Sequence, residues 1–589
     1  MNLHQQTCIL LALMASCSLA LCPTKCSCYL DLKGRKTVLC KEGGYIGALN
    51  LNNISTDTQV IKITAPDDNN NMLTMSPAFQ GYKQLEEIHI TKSNIPQLGK
   101  LFFWGLKKLD VLNLSQNNIT QPLDHNFLGL DKLKELYLDD NRIQSLPSGT
   151  FRHLRELKVL SIQRNRITEQ ASRMFMEIGK LKVLKLSGNN LMELNPEVFR
   201  DVQELRHLEC RGCALKKFSK DLYHLLPHLQ FLDIGDNEIR TIHADDLRNL
   251  TNLKNLKLDG NRIAVLHDNT FCNQPALKRL SLGRNEITKI TSNAFVELYN
   301  ITELDLSYNK LEKIHEGAFE VISGTLEVLD LSGNQLKMHT LKEIAFLDNL
   351  KELKLSSCGI MEVDNIKMFP NRLESLDLSN NHISIINTEF LPLASLHRLD
   401  ISANRIRGID EFNLQRLDKL KSLGLNNNPW SCDLCYIVPL LERANRSGTF
   451  SDIICQTPYT VRGKTLGMLQ KAELTWCTAA SYSTGDADFF LISSDGKIGI
   501  IAASMSVCLL FLTILAIIGA LCYSRRHAAR YYTHEEKMAY EGEHIFDNNQ
   551  SPLFCDGELS FKFPLDGEKK MSIATIEDIK KEHSITNGT

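Results

Sequence analysis

Neither sign of charge predominates in this chain. Lys and Arg number 67 against 69 Asp and Glu, a formal net charge of -2. That balance excludes a global field able to draw the whole protein onto nucleic acid or an acidic membrane. Patterns that carry chemistry are missing as well: no nucleophile motif, metal-ligand spacing or phosphate-cradling loop stands out along the 589 residues. An enzyme is not expected, and no cofactor or metal is called for.

Charge is also absent locally, from two apolar runs. The first, Cys8 to Leu21, is shorter than the ~20 residues a spanning helix needs. The small residues Ser18 and Ala20 suit a signal peptidase, so residues 1–20 read as a signal peptide, despite an n-region with no Lys or Arg. The second run, Ile498 to Tyr523, holds no charged residue and is long enough to cross about 30 Å of hydrocarbon. Arg525, Arg526 and Arg530 follow it, whereas Asp486, Asp488 and Asp495 precede it. The positive-inside rule then places the C-terminus in the cytoplasm. The expectation is a type I plasma-membrane protein with a stem at 478–497, a span at 498–523 and a polar tail at 524–589 that is too short for a kinase or a Toll-type signalling domain.

Between these ends one pattern, L-x-x-L-x-L-x-x-N-x-L, dominates. It is plain at Leu133, Leu136, Leu138, Asn141 and Ile143, and again at Leu157, Leu160, Ile162, Asn165 and Ile167. First slots fall 24 residues apart from Leu85 to Ile301, then continue at Leu326, Leu350, Leu373, Leu396 and Leu420. That makes fifteen repeats, preceded by a degenerate one carrying Ile61 and Ile63. Alternating residues of L-x-L form a short strand with its apolar side chains turned into the coil, and each coil buries its face only against its neighbours. The Asn must turn the chain and satisfy buried backbone groups, a slot taken by Cys213 and Cys358 in two repeats. An inward aromatic such as Phe151, Phe199, Phe295 or Phe319 completes the far side of the coil. The predicted fold is an α/β repeat solenoid, a curved horseshoe with parallel strands on its concave face.

Such a solenoid needs capped ends. Cys22, Cys26, Cys28 and Cys40 stand immediately before the repeats, and Cys432, Cys435, Cys455 and Cys477 immediately after. In a secreted context these even sets read as disulfides, with three pairings open for each cap. The domains expected are an N-terminal cap at 21–57, repeats at 58–427 and a C-terminal cap at 428–477.

With both cysteine clusters flanking the repeats, the chain resembles the animal extracellular leucine-rich-repeat proteins with cysteine-rich flanks, the group that includes Slit, Toll and the neuronal single-pass members. The resemblance covers Cys22 to Cys477. It implies that Cys22 pairs with Cys28, Cys26 with Cys40, Cys432 with Cys455 and Cys435 with Cys477. The C-terminal flank departs from the usual C-x-C by one extra residue, Leu434. The resemblance further implies a cell-surface receptor or adhesion molecule that binds an extracellular or cell-surface protein ligand. The alternative is an innate-immune or accessory co-receptor that takes a microbial or secreted ligand and signals through a partner. Homophilic and co-receptor association both stay open.

Outward strand positions line an inner arc of roughly 70 Å, at about 4.8 Å per repeat. Tyr137, Arg164, Lys185, Arg211, Phe231, Lys257, Arg284 and Tyr308 supply the Arg, Lys and aromatic side chains of a candidate docking patch on that face. The competing reading is a solvated strand face. Asp305, Asp330, Asp377 and Asp400 invite a calcium site, but Leu-Asp-Leu-Ser is ordinary wording for this repeat. Glycosylation acceptors stand at Asn53, Asn113, Asn118, Asn249, Asn300 and Asn445. A glycan at Asn113 would mask the N-terminal part of the concave face. Cys210, Cys213, Cys272 and Cys358 are left over and read as inert packing.

Overall fold

The computed structural model describes residues 22–476, apart from 52, 76, 219 and 364–368. The segments expected to be signal peptide, stem and tail, together with Cys477 and the apolar run at 498–523, lie outside the described residues. Among the described residues no helix is long and apolar enough to cross a membrane.

Each repeat forms one coil, and the leucine slots explain why. In the strand Glu135–Tyr137 the middle residue, Leu136, is buried between two half-exposed neighbours. Leu112, Leu136, Leu160, Leu184 and Leu208 stand directly opposite one another in successive parallel strands. The same register runs on to Leu399 and Leu423. The result is an eighteen-stranded sheet: two cap strands, Cys26–Leu30 and Lys36–Cys40, then Val60–Ile63 and its successors to Ser422–Gly424. Only the first pair is antiparallel among them. Leu133, Leu136, Leu138 and Ile143 are fully buried, and each such side chain contributes about 1.5–3 kcal/mol on leaving water.

A one-residue slip would turn every leucine outward, so irregular repeats absorb their extra length elsewhere. Leu304 still faces Leu329, 25 residues on. The extra residue falls between Ile322 and Leu326, on the far side of the coil, where the Leu326 N–H reaches the Ile322 carbonyl at 3.0 Å. That far side holds short helical turns, such as Pro196–Phe199 and Glu411–Leu417. The α/β expectation is therefore corrected to a β-solenoid: 24 residues per coil leave too few for a long helix once strand and turns are made. Phenylalanines stack along the same side, with Phe271, Phe295 and Phe319 spaced 6.3 and 5.9 Å between ring centroids.

The Asn slot is a hydrogen-bond hub. Asn141 donates to the carbonyls of Leu114 at 3.0 Å and Leu138 at 3.1 Å, and accepts from the Ile119 N–H at 3.0 Å. Its counterparts repeat this, joining each coil to the one before. Where Cys213 replaces Asn, its Sγ–H reaches the Leu186 carbonyl at 3.5 Å. The Leu191 N–H, left without an amide oxygen, bonds the Cys213 carbonyl at 3.1 Å. The residue just before the hub is left-handed whatever its identity, as at Asp140 (φ 54), Arg164 (φ 51), Gly188 (φ 74), Arg284 (φ 53) and Tyr308 (φ 50). The non-glycine cases each cost about 1–2 kcal/mol, an expense the buried hub bonds offset.

The caps close both ends. Cys22 is bonded to Cys28 and Cys26 to Cys40, fastening an antiparallel hairpin over the first coil. At the other end Cys432 is bonded to Cys455, and Cys435 is also in a disulfide. Trp430 is 1% exposed and donates its indole N–H to the Leu425 carbonyl at 3.2 Å. The cap helix Val438–Ser447 ends on left-handed Gly448 and is tied to the last repeat by Arg443, which bonds Glu411 at 3.1 Å and Asp418 at 2.8 Å.

Candidate functional site

The eight residues of the candidate patch occupy adjacent columns rather than one. Phe231 opens its strand, Tyr137, Lys185 and Lys257 close theirs, and Arg211 follows one. Arg164, Arg284 and Tyr308 sit in the left-handed turn. Sequence periodicity places all of them on the strand side of the coil, but the strained turn was not visible in it.

Their partners divide them into two groups. The N-terminal four are engaged within the fold. The Tyr137 hydroxyl donates to Glu135 at 2.8 Å, and burial together with that bond pushes its pKa up to about 12. Arg164 holds Asp140 through two bonds of 2.6 and 2.7 Å, and Lys185 pairs with Glu209 at 3.1 Å. Arg211 reaches Asp259, Asp236 (2.7 Å) and Asp233 (3.4 Å). The Asp259 carboxylate, above all, holds this guanidinium firmly charged. Three carboxylates around one guanidinium leave it little capacity for a ligand.

The other four lie on four consecutive coils, where Phe231 is half-buried, Lys257 pairs with Asp233 at 3.8 Å, and Arg284 and Tyr308 present exposed surface. Phe231 is fixed by His207, stacked parallel at 4.1 Å, and by the Lys257 ammonium 5.5 Å from its ring. Arg284 is exposed and has no ion-pair partner among the described residues. Tyr308 is 55% exposed and lies across Gly333, where an added Cβ would come within 2.5 Å of its ring. Sequence reasoning missed His207, Asp236 and Asp259. Stepping 24 residues along the chain lines up His207 with Phe231 and, in two steps, Asp259 with Arg211, but leaves Asp236 one residue out of line and does not show which charges close on which.

The acidic column has a structural task. Asp305, Asp330, Asp377 and Asp400 each accept the N–H two residues on, at 2.8–3.0 Å, turning the chain as it leaves the strand. Among the described residues no group of three or more His, Cys, Asp or Glu is arranged to hold a metal ion. Of the glycosylation acceptors, Asn53, Asn300 and Asn445 are exposed, while Asn113, Asn118 and Asn249 are half-buried. Asn113 closes its strand and accepts the Ser115 N–H at 2.9 Å. Asn300 borders a polar groove of about 420 Å³ lined by Lys278, Thr302, Glu327 and Lys351. Cys210, Cys213 and Cys358 are buried thiols, and Cys272 is half-buried.

A family profile described as Leucine rich repeat matches residues 83–143, 131–191, 155–215, 204–263, 251–311, 299–360 and 370–429, together more than half of the chain. SLIT and NTRK-like protein 5 of mouse and human is 34% identical over 88 residues, which is 14% of this chain and 9% of that protein. Human oligodendrocyte-myelin glycoprotein is 33% identical over 109 residues, 18% of this chain and 24% of that protein. The chain thus spans a tenth to a quarter of these relatives' lengths. Among solved structures, a leucine-rich-repeat protein of Leptospira interrogans shares 27% identity at a TM-score of 0.53, over 64% of this chain and 92% of its own. A chain of the mouse RP105/MD-1 complex, at 21% identity, a TM-score of 0.55 and coverage of 75% and 83%, shares the fold alone.

Proposed function

The chain belongs to the leucine-rich-repeat family, and on that premise we propose that it is a cell-surface receptor or adhesion molecule whose strand face binds a protein ligand. The observation that carries this reading is the set Phe231, Lys257, Arg284 and Tyr308, two aromatic and two cationic side chains on consecutive coils: Arg284 and the Tyr308 ring are exposed, and the half-buried Phe231 ring is held between His207 and Lys257 with its edge left for contact. Rigid aromatic and Arg anchors are the side chains that dominate protein interfaces, because they bring large contact area at small entropic cost. The reading includes a signal peptide at 1–20, a span at 498–523 and a cytoplasmic tail. It also includes a glycan at Asn113 that restricts the N-terminal strand face and favours the later coils.

Relatives support the same class. SLIT and NTRK-like protein 5 and oligodendrocyte-myelin glycoprotein share repeats of this kind, and the solved RP105/MD-1 complex joins such a fold to a second protein. The test is expression of the full chain on two otherwise non-adhesive cell populations, with proximity labelling to identify what it meets. Substituting Phe231, Lys257, Arg284 and Tyr308 by Ala lowers aggregation or partner capture by about 30-fold if one of the four is a hot spot of ~2 kcal/mol and by several hundred-fold if two are. The same exchange at Tyr137, Arg164, Lys185 and Arg211 has the smaller effect. Unchanged binding in the first variant would dispose of the proposed patch.

A further inference from the structure

The near-zero net charge conceals a strongly ordered cationic edge. Beside the strand face, the residue one position after each repeat's first leucine forms a column: Asp110, Lys134, Lys158, Lys182, Arg206, Gln230, Lys254, Lys278, Thr302, Glu327, Lys351. The column is continuous in space, because each of these N–H groups bonds the carbonyl of the member one coil earlier, at 2.8 to 2.9 Å from Lys134 to Lys351. At its two ends the charges are neutralised, Lys134 by Asp110 at 2.8 Å and Lys351 by Glu327 at 2.9 Å. Between them Lys158, Lys182, Arg206, Lys254 and Lys278 are all exposed, and none has an ion pair among the described residues.

The flanks do not supply the missing anions. Toward the strand face the neighbouring positions are Val159, Val183, His207, Phe231, Asn255 and Arg279, without a carboxylate. On the other side Glu156 is held by Lys180 at 2.6 Å and lies only within Coulomb range of Lys158, and Glu204 is the one other carboxylate in the positions just before the run. Like charges stacked at about 4.8 Å repel one another, so three and then two unpaired cations in register, parted only by Gln230, are an electrostatic cost that a bound polyanion removes.

We propose that this edge binds a linear sulfated polysaccharide of the kind found on cell surfaces and in extracellular matrix. Such a polymer carries sulfate or carboxylate on nearly every sugar, so its charges repeat on a scale comparable to one coil. A single column one residue wide fits an extended strand of charge, whereas a membrane surface would call for a broad two-dimensional patch. Single-stranded nucleic acid needs exposed aromatic platforms interleaved with the cations. The column contains none, and the faces of the adjacent Phe231 ring, on which a base would stack, are taken by His207 and Lys257.

The experiment measures binding of the full-length, detergent-solubilised protein to immobilised heparin across a salt series. The test variant carries Lys158→Gln, Lys182→Gln, Arg206→Gln, Lys254→Gln and Lys278→Gln. A control variant removes five lysines placed elsewhere, Lys33, Lys310, Lys313, Lys337 and Lys342. Without the five column cations, affinity near physiological salt falls by more than tenfold, and the dependence of log affinity on log salt flattens by about 3.5, at roughly 0.7 per neutralised charge as for a single-stranded polyanion. Cell-surface expression equal to that of the unmodified chain establishes that the variant is folded, and competition of the unmodified protein by soluble heparin but not by desulfated heparin gives a second readout. Equal loss in the control variant, undiminished binding in the test variant, equal competition by desulfated polymer, or tighter binding of single-stranded DNA each overturns the assignment. Tyr308→Ala, which removes a protein-ligand anchor but no charge, leaves heparin binding unchanged, so the two proposals fail separately.

Discussion

Replacing Asn237 by Ala tests the hydrogen-bond hub on which the solenoid depends. The Asn237 side chain donates to the carbonyls of Cys210, Ile234 and Gly235, each at 2.9 Å, and accepts from the N–H groups of Cys213 at 2.9 Å and Leu215 at 3.0 Å. The residue is 6% exposed, so water cannot take over these partners. Five bonds at about 1 kcal/mol net, shared among bifurcated donors but raised by the burial of orphaned groups, put the loss at about 3–5 kcal/mol. Asn237→Cys costs less, about 1–2 kcal/mol, since a thiol still donates weakly and the coil holding Cys213 shows the backbone taking up the rest. Because each coil touches only its neighbours, the effect is local. Amide hydrogen exchange on the full chain reads it as faster opening at Cys213 and Leu215, by at least a hundredfold for 3 kcal/mol at 1.4 kcal/mol per decade. Unchanged protection in the Ala variant, or a Cys variant as damaged as the Ala variant, would refute this account of the ladder.

Arg443→Ala frees the cap helix from Glu411 and Asp418 and lowers stability by about 1–2 kcal/mol for charge-assisted bonds with partly exposed partners. Limited proteolysis would then begin in the C-terminal cap, and an unchanged cleavage pattern would count against it. Gly333→Ala drives a methyl group into the Tyr308 ring and places a side chain at a φ of 72; partner capture falls by an amount approaching that of Tyr308→Ala, and full retention would contradict the role given to that ring. Burial raises the pKa of Glu209, but the bonds from His207 and Lys185 outweigh it and hold the carboxyl below its ordinary value of 4.5. A depressed carboxylate contributes stability above that value and loses it as pH falls through the folded one. Thermal midpoints of Glu209→Gln should therefore vary less with pH in the acid range below about 4.5 than those of the unmodified chain, and parallel curves would exclude the effect.

The coil was legible because its determinants are local and periodic. Leu136, Leu138 and Asn141 must point inward at their spacing for one coil to bury itself against the next, and every repeat says so again. The left-handed turn was not legible, because Asp140, Arg164, Gly188 and Tyr308 have no side-chain chemistry in common. The conformation there is imposed by the hub bonds on either side. Candidate binding residues were likewise placed on the correct side of the coil, but their availability depends on pairings between residues 24 or 48 apart, as in the bond from Arg211 to Asp259.

Sequence by itself determined the period, the inward leucines, the asparagine hub and the cysteines that flank the repeats, since each follows from what a single coil needs in order to be buried. Tertiary structure alone decided which charges are spent inside the fold and which remain for a partner. Arg211 and Arg284 are both arginines on the strand side, in neighbouring slots of the repeat, yet stacking the coils surrounds one with three carboxylates and leaves the other without an ion pair among the described residues. Ion pairing is set by distance across coils, and only the register of the sheet fixes that distance.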